Sequence, residues 1–348
     1  MHILINLIKK IGLSSKPMLK MFMEVVADSL DDILREVFTN LIATKRTISP
    51  SKGKAREEIG VHIVLNNPRA RFSRTESRAT LFSCMGELLW YLTGDNSLEF
   101  IRHYIPKYSD YSDDGMTLHG AYGPRIFGDL FDNHWLSVSR ILRDKPDSRQ
   151  AVIPIYQPSD VTAQTKDLPC TCTLQFFKRD NLLHMQVHMR SNDAYLGLPH
   201  DIFAFTMMQE LMAAELTCGV GKYHHSVGSL HLYDTDREKV ATFLNEGWQS
   251  TTPMPAMPNG DQSTAIAWLM QVDACIRSNE TYRIDWSVVQ PYWQDLGRII
   301  LIQDLIYRKK MRSVAEQRRL MSTSVYESFI RRKEEAAIGI GVQGRLAL

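Results

Sequence analysis

The sequence predicts an α+β protein in which one mixed β-sheet is packed by helices and is followed by a helical C-terminal section. Short strand-like apolar runs alternate with longer runs of helical periodicity as far as residue 233. After residue 264 the pattern is helical only. A chain of 348 residues with 44% hydrophobic residues is long enough for one large domain or two ordinary ones.

Periodicity and turn residues define the elements of the first half. Helical periodicity covers 20–43, and a polar loop with clustered cations covers 47–56. A strand is expected over 61–65, ended by Asn66-Asn67-Pro68. A long apolar helix is expected over 79–92, and it carries one acid, Glu87, among apolar neighbours.

The second half of the sequence predicts the remaining strands of the sheet and a buried helix. A strand is expected over 151–156, a hairpin over 174–178 and 182–189, a buried Met-rich helix over 203–216, and a short strand over 229–233. The Pro-rich segment 253–260 is the best linker candidate. We therefore divide the chain into an N-terminal extension (1–20), a main domain (21–252) and a helical section (253–348) that continues the same domain.

The composition argues against several kinds of partner. The formal net charge is only +2, so no single-sign field indicates nucleic acid or a membrane surface as the main partner. No apolar run approaches the roughly 20 residues that span a bilayer, and the N-terminal charges follow the apolar residues, the reverse of a signal peptide. The five cysteines are an odd, widely spaced set, which fits a reducing, cytoplasmic setting. Cys170 and Cys172 are too close and too isolated for zinc, so no metal is expected.

Six separated segments carry the reactive and charged residues of interest. They are Glu-Leu-Leu-Trp-Tyr-Leu-Thr-Gly-Asp at 87–95, Gly-Ala-Tyr-Gly at 120–123, Asp-Ser-Arg at 147–149, Pro-Cys at 169–170 with Gln-Phe at 175–176, Arg-Ser-Asn-Asp-Ala-Tyr-Leu-Gly-Leu-Pro-His-Asp at 190–201, and His-Leu-Tyr at 231–233. In this order they resemble the thymidylate synthase family, over roughly residues 45–236. The resemblance implies that family's mixed sheet packed by helices, with 21–252 as its catalytic domain. It also implies folate-dependent one-carbon transfer to C5 of a pyrimidine nucleotide.

Cys170 is the candidate nucleophile. Pyrimidine C5 is a poor nucleophile until a thiolate adds at C6, so Cys170 must ionise, and nearby cations would favour this. Arg190 is the expected cation and would also hold a 5′-phosphate together with Ser191 and Arg149. Alone, Cys170 could be a buried structural cysteine; the Pro-Cys context and Arg190 favour the nucleophile. Cys172 is expected on the same side of the strand as Cys170 and is taken as a packing residue.

The resemblance also implies the proton-transfer groups and the quaternary state. Glu87 would shuttle protons through ordered water and Tyr122 would orient a water near C5, although a structural acid and a core tyrosine are the alternatives. Arg149 would complete the phosphate site of a neighbouring subunit, which implies a homodimer. The loop cation that binds phosphate stays open among Lys52, Lys54 and Arg56, with Arg56 slightly ahead.

Folate and sugar contacts follow from the same resemblance. The resemblance implies 5,10-methylenetetrahydrofolate as the cosubstrate. A carboxylate suits the N–H groups of a pterin, and aromatic rings suit its flat face. His231 and Tyr233 alternate on one strand so that both can reach a sugar hydroxyl. The folate-facing residues would be Asp193, Tyr108, Tyr111 and Gly197.

Asp201 bears on the identity of the base. The family usually has Asn here, whose amide matches the N3–H donor and O4 acceptor of uracil. A carboxylate would face O4 without a proton between them, at a cost of several kcal/mol. A carboxylic acid opposite cytosine can accept from N4 and share a proton with N3, and that proton stabilises charge on N3 when Cys170 adds. The alternative for Asp201 is a helix N-cap.

These observations leave three hypotheses. The leading one is hydroxymethylation of dCMP or CMP at C5, because deoxycytidylate hydroxymethylases, relatives of thymidylate synthases, have Asp at this position. The second is a thymidylate synthase that converts dUMP to dTMP with an unusual base-reading residue. The third is a catalytically inactive relative that binds a nucleotide or RNA.

Overall fold

One mixed sheet forms the centre of the molecule. The computed structural model describes residues 23–75, 80–128, 133–249, 252–278 and 284–339. Within them, seven strands follow the order β1-β3-β7-β6-β5-β4, with β2 paired to the start of β3. The pairs β1–β3 and β6–β7 are parallel and the others antiparallel. The strands are β1 (Glu24–Ala27), β2 (Thr47–Ile48), β3 (Ala55–Leu65), β4 (Val152–Pro154), β5 (Thr171–Arg179), β6 (Leu182–Asp193) and β7 (Gly219–Tyr233).

Eleven α-helices are described in the same residues, six of them before β7. These six are α1 (Leu30–Ala43), α2 (Leu81–Leu92), α3 (Leu98–Tyr104), α4 (Tyr122–Phe127), α5 (His134–Asp144) and α6 (Gly197–Glu215). After β7 come α7 (Arg237–Asn245), α8 (Ser263–Arg277), α9 (Pro291–Tyr307), α10 (Met311–Arg319) and α11 (Glu327–Ala337). The mixed sheet packed by helices and the helical C-terminal section that the sequence predicts are therefore both present.

Several predicted boundaries need correction. The helical pattern over 20–43 includes the strand β1, whose apolar pair Val25-Val26 also fits a helix by periodicity. Residues 55–58 belong to β3 and not to the loop before it. The strand β7 begins ten residues earlier than expected, because its first part is polar yet pairs with β3 on one side and β6 on the other. The β5–β6 hairpin is confirmed, and Asp180 and Asn181 take the positive φ values of 50° and 57° that a tight hairpin turn requires.

The helix α6 is the core of the molecule. Sixteen of its residues are buried, so it is apolar on every side, as expected of a helix enclosed by other elements. It packs against β6, β7 and the almost wholly buried α2. This places the N-terminus of α6 beside the ends of the central strands, where the segments identified in the sequence meet.

The C-terminal helices cover this core. Met254 and Met257, in the segment proposed as a linker, are buried, and their backbone N–H groups bond to Arg69 O and to the carboxylate of Glu210. The helix α9 packs on α2, and the hydroxyl of Tyr292 contacts Met207 of α6. The boundaries proposed at residues 20 and 252 stay predictions, and the proposed extension 1–20 lies outside the described residues.

In the described part of the chain, none of the helices has the length and apolarity that crossing a bilayer requires.

Candidate active site

The predicted nucleophile lies at the start of β5, where Arg190 of β6 supports its backbone. Cys170 is partly buried, and its carbonyl accepts a hydrogen bond from Arg190 N–H at 2.9 Å. The Arg190 guanidinium donates to Pro169 O (2.9 Å) and Leu168 O (3.1 Å). Arg190 therefore positions the loop that carries the thiol, besides adding a positive charge next to it.

The ionisation of Cys170 differs from the expectation. Burial raises the pKa of the thiol above its usual value, and the field of Asp201 raises it further, whereas Arg190 and Lys52 lower it. Burial wins, so the nearby cations do not make Cys170 a thiolate in the ligand-free protein. For Cys170 to act as a nucleophile, a bound ligand would have to change this balance.

Cys172 does not follow the simple alternation assumed from the sequence. The register of the β5–β6 pairing shifts between Thr171 and Thr173, so Cys172 is the extra residue of a β-bulge. Burial raises the pKa of the Cys172 thiol as well. Because a bulge interrupts the two-residue period here, the expectation that Cys172 shares the face of Cys170 stays a prediction.

Asp201 lies inside α6 and is held by a buried hydrogen-bonded chain. It is the fifth residue of α6, and the N-cap is Leu196, so Asp201 is not a cap. Asn192 Nδ2 donates to Asp201 Oδ2 at 2.8 Å. Because the Asn192 Oδ1 atom can only accept, His225 Nε2 donates to it (3.0 Å), and Tyr223 Oη donates to His225 Nδ1 (2.9 Å). The chain thus fixes the orientation of the Asn192 amide towards Asp201.

The charge state of this chain follows from its burial. Burial lowers the pKa of His225 to about 3, so the ring is neutral and its tautomer is the one described. Burial raises the pKa of Asp201 to about 7; the field of Glu87 adds to this rise, and the Asn192 hydrogen bond opposes it. Near neutral pH, Asp201 is therefore divided between acid and carboxylate.

Gly197 provides the space for this arrangement. A Cβ at Gly197 would lie 2.9 Å from Asn192 Nδ2 and 3.5 Å from Asp201 Oδ2. Alanine here would therefore displace the amide that holds Asp201. The folate contact predicted for Gly197 stays a prediction.

Glu87 accepts hydrogen bonds from two tyrosines. It is buried in α2, and its Oε1 accepts from Tyr91 Oη (3.1 Å) and from Tyr108 Oη (2.5 Å). Its negative charge contributes to the raised pKa of Asp201, which places the two carboxyls in one site. The Tyr108 hydroxyl therefore binds Glu87 rather than a ligand. The Tyr108 ring packs on the ring of Tyr111 at the outer side of the site.

Tyr122 lies between the nucleophile and the base-reading acid. Its hydroxyl accepts from Thr171 N–H at 3.2 Å. Burial raises its pKa well above the usual value, and Asp201 and Cys170 add to the effect. The ring stacks on Phe205 at 6.1 Å, which fixes the hydroxyl beside Cys170.

His200 holds the start of α6 to α2. Its Nδ1 lies 2.9 Å from Leu196 O and must therefore donate, and its Nε2 lies 2.9 Å from Ser83 Oγ. His200 also lowers the pKa of Asp201, though less than burial raises it. It is thus a positioning residue between the helix of Glu87 and the helix of Asp201.

The sugar and folate candidates lie side by side on two neighbouring strands, β6 and β7. Asp193 pairs with His231, and two residues further along β7 lies Tyr233, whose ring packs on His231 at 5.0 Å. Asp193 Oδ1 accepts from the backbone N–H groups of Tyr195 (2.8 Å) and Leu196 (3.1 Å). Ser191 lies two pairs before Asp193 on β6, opposite Ser229.

The loop cation at the site is Lys52, not Arg56. Lys52 Nζ donates to Tyr111 Oη at 3.0 Å. Burial would lower its pKa, but that hydrogen bond and the fields of Tyr111, Tyr233 and Cys170 outweigh burial and raise it. The Arg56 guanidinium instead donates to Ile42 O and to Thr44 O (2.9 Å), which ties β3 to the end of α1. The structure therefore does not bring Arg56 to the predicted phosphate site.

Arg149 lies away from this cluster. It is exposed on the loop before β4, at the edge of the sheet, and its carbonyl accepts from Gln175 Nε2 at 3.0 Å. A single chain therefore does not bring Arg149 to its own Cys170.

Sequence reasoning missed three residues of the site: Asn192, His225 and Asp167. Asp167 accepts from Gly120 N–H at 2.8 Å, and its field also raises the pKa of Cys170. Asn192 lies within the recognised 190–201 segment, where its place beside Asp193 was a usable signal. His225 carried none, because its partner is 33 residues away. Among the described residues no group of His, Cys, Asp or Glu could hold a metal ion.

Comparisons with known proteins identify the family of this chain. Residues 52–271 match the family model described as thymidylate synthase. The chain is 30% identical over 289 residues to a deoxyuridylate hydroxymethyltransferase of Bacillus phage SP01, covering 73% of this chain and 76% of that protein. It is 26% identical to a protein of the same name from Delftia phage PhiW-14, covering 70% and 68%. The thymidylate synthase of T4 phage superposes with a TM-score of 0.53 at 19% identity, covering 62% of this chain and 81% of that one. The chain belongs to the thymidylate synthase family.

Proposed function

We propose that the protein adds a hydroxymethyl group to C5 of a cytosine nucleoside monophosphate, dCMP or CMP. The observation that carries this proposal is Asp201, a buried carboxyl with a pKa of about 7 at the position where the family usually has Asn. The reaction joins the nucleotide, a one-carbon unit and water, and it releases tetrahydrofolate. It needs no hydride transfer, so dihydrofolate is not formed.

The hydrogen bonds of Asp201 favour a cytosine ring. Asn192 occupies one lone pair of Oδ2, and among the described residues Oδ1 has no partner. Oδ2 can still accept from the N4 amino group, while a proton is shared between Oδ1 and N3. Because N3 of cytosine is itself basic, this pairing works whether the proton starts on the base or on Asp201.

The same pairing would activate Cys170. The negative field of Asp201 is one of the causes that raise the pKa of the thiol. A proton shared with N3 removes that negative charge, so base binding lowers the cost of forming the thiolate. The shared proton also neutralises the charge that moves onto N3 when sulfur bonds to C6. Base recognition and nucleophile activation thus depend on one proton.

Other residues of the chain suit the remaining proton transfers. Glu87 accepts from two tyrosine hydroxyls, so its carboxylate is fixed in one place and can hold a water beside the base. Tyr122, beside both Cys170 and Asp201, is placed to orient that water towards C5. These roles are part of the proposal.

The residues present fit a folate. Asp193 uses Oδ1 for the backbone of Tyr195 and Leu196, so Oδ2 can accept from a pterin N–H group. Tyr111 presents a ring next to Tyr108 at the outer side of the site, where a flat ring can pack. When bound, 5,10-methylenetetrahydrofolate would supply the one-carbon unit.

The exposed position of Arg149 supports a homodimer. In the family that arginine completes the partner's phosphate site, and here it lies at the sheet edge, away from its own Cys170. The phosphate would then be held by Arg190, Ser191 and Lys52 of one subunit and by Arg149 of the other. The mass of the protein in solution tests the dimer.

A uracil nucleotide is the second candidate substrate. The two phage relatives are named deoxyuridylate hydroxymethyltransferases. With a pKa of about 7, part of Asp201 is a carboxylic acid, which offers one donor and one acceptor as an amide does. Uracil would be accepted by that protonated form alone, with Oδ1 accepting from N3–H and a proton on Oδ2 donated to O4.

One assay separates these substrates. The protein is incubated with methylenetetrahydrofolate and dCMP, CMP or dUMP, while product mass and dihydrofolate formation are followed. A hydroxymethylated cytosine nucleotide without dihydrofolate is expected. Hydroxymethylated dUMP alone would establish the second candidate, methylated dUMP with dihydrofolate would identify a thymidylate synthase, and no turnover would leave a nucleotide- or RNA-binding relative.

Substitution of Asp201 tests the residue itself. Asp201→Asn should favour the uracil nucleotide over the cytosine nucleotide by at least about tenfold, because the amide carries a fixed donor and acceptor. Cys170→Ser is the matched control, since it should abolish turnover and leave the relative binding of the two bases unchanged. An unaltered base preference in Asp201→Asn would contradict the pairing.

A further inference from the structure

One buried carboxylate next to the sugar candidates has no role in the proposed reaction. Glu57 of β3 pairs directly with His231 of β7, and His231 pairs on its other side with Asp193 of β6. Glu57 is only 8% exposed, and its Oε1 accepts from Ser229 Oγ at 2.5 Å. Glu57 directly follows the polar loop predicted over 47–56, so no pattern in the sequence marks it.

Glu57 lies on the face of the sheet that carries the site. Directly paired residues of neighbouring strands point to the same face, so Glu57, His231 and Asp193 form one row. The next row contains Tyr233, and its partner on β3 is Ala55. Glu57 is therefore adjacent to the two residues expected to hold the sugar.

The chemistry of Glu57 calls for an uncharged donor. No hydrogen bond of Oε2 is seen within the part of the chain that the structure describes, and Oε2 is not among the enclosed unpartnered atoms, so a ligand can reach it. A carboxylate only accepts hydrogen bonds, so it repels a phosphate and suits a hydroxyl. A sugar hydroxyl can accept from Tyr233 and donate to Glu57 at the same time. Carboxylates bind ribose hydroxyls in this way in dinucleotide-binding folds.

We propose that Glu57 accepts a hydrogen bond from a hydroxyl of the nucleotide's sugar and so completes a sugar site with His231 and Tyr233. This inference rests on the proposed function, because it assumes a nucleoside monophosphate in the site. The hydroxyl is the 3′-hydroxyl of either sugar or the 2′-hydroxyl of ribose. In the second case Glu57 selects CMP over dCMP.

The test measures binding rather than turnover. Dissociation constants of CMP, dCMP and 2′,3′-dideoxy-CMP are determined by calorimetry for the wild-type protein and for Glu57→Gln. If wild-type protein binds only uracil nucleotides, the corresponding uridine series is used. The matched control is Glu58→Gln, which removes an acid from the next position of β3, on the other face and opposite Leu230.

The three ligands distinguish the outcomes. Loss of about tenfold in affinity for CMP and dCMP, with the dideoxy nucleotide unaffected, would place Glu57 on the 3′-hydroxyl. The same loss for CMP alone would place it on the 2′-hydroxyl. Equal losses for all three ligands, or an equal effect of Glu58→Gln, would overturn the sugar role and leave the proposed function standing. Failure of wild-type protein to bind any pyrimidine monophosphate would overturn both.

Discussion

Asp201 and Lys52 both act on Cys170, but they belong to regions built in different ways. Asp201 lies at the end of a buried chain of hydrogen bonds that runs through Asn192 and His225 to Tyr223. The three partners, Asn192, His225 and Tyr223, are neutral at pH 7. Lys52 lies on an exposed loop with a single hydrogen bond to Tyr111. The two regions are the base-reading chain and the phosphate rim of one site.

The comparison shows how specificity and affinity are separated. In the buried chain the orientation of every hydrogen-bond donor is fixed by its partner. A base with the wrong donors and acceptors would therefore leave a buried polar group unpaired, and that group could not reorient. At the rim, an exposed lysine would add attraction that water and salt weaken, and this attraction would not distinguish one pyrimidine from another. We therefore expect substitutions in the chain to change base choice and pH response, and substitutions at the rim to change mainly affinity, because Lys52 is only a lesser influence on the pKa of Cys170.

The largest expected effect comes from the middle of the chain. Asn192→Leu removes the donor to Asp201 and the acceptor of His225, and it leaves two buried polar groups unpaired. We expect kcat/KM to fall by about a hundredfold, equivalent to two lost hydrogen bonds. Because the Asn192 bond lowers the pKa of Asp201, the pH at which activity changes should rise. The pH profile of kcat/KM measures both effects.

The control for this variant is Asn40→Leu, an exposed amide on α1 that bonds only within its own helix. It should leave the profile unchanged. A drop in kcat/KM for Asn192→Leu with no movement of the profile would mean that Asn192 supports packing and does not tune Asp201.

A smaller effect is expected at the rim. Lys52→Met should raise KM for the nucleotide by about tenfold with kcat nearly unchanged, since it removes one charge that attracts the phosphate equally in the ground and transition states. The difference from wild type should shrink as salt is added. Lys54→Met is the matched control because Lys54 lies in the same exposed loop. A larger loss from Lys54→Met or from Arg56→Met would assign the phosphate to that residue instead.

Local sequence was sufficient to predict one part of this site. Cys170, Glu87 and Asp201 each lie in a segment whose neighbours mark it, and the hairpin and the buried helix around them follow from turn residues and periodicity. These features depend on residues a few positions apart. The strand β7 was half missed, because a polar strand is stabilised by neighbours on both sides that periodicity does not report.

The partners that set charge and orientation could not be predicted in this way. Tyr108 reaches Glu87 across 21 residues, and His225 reaches Asn192 across 33. Local sequence also does not show whether Lys52 or Arg56 reaches the site. The Arg56 guanidinium is bound by carbonyls at the end of α1, and this contact depends on the fold. The raised pKa of Cys170 likewise reflects burial by the whole fold.

The smallest expected effect is on stability, and it tests whether Asp201 is as buried as its pKa indicates. A pKa raised from 3.8 to about 7 means that the folded state binds this proton more tightly than the unfolded state. The stability that the protonated group confers is therefore complete below about pH 4 and is lost as the pH rises through 7. Between pH 6 and 8 wild type should lose about 1 kcal/mol relative to Asp201→Asn, which does not titrate. Urea unfolding of both proteins measures this difference, with the exposed Asp144→Asn as a control that should track wild type. If the free energies of unfolding of wild type and Asp201→Asn changed in parallel with pH, water would reach Asp201. The distinction between a buried chain and an open rim would then not hold for Asp201, the residue on which it mainly depends.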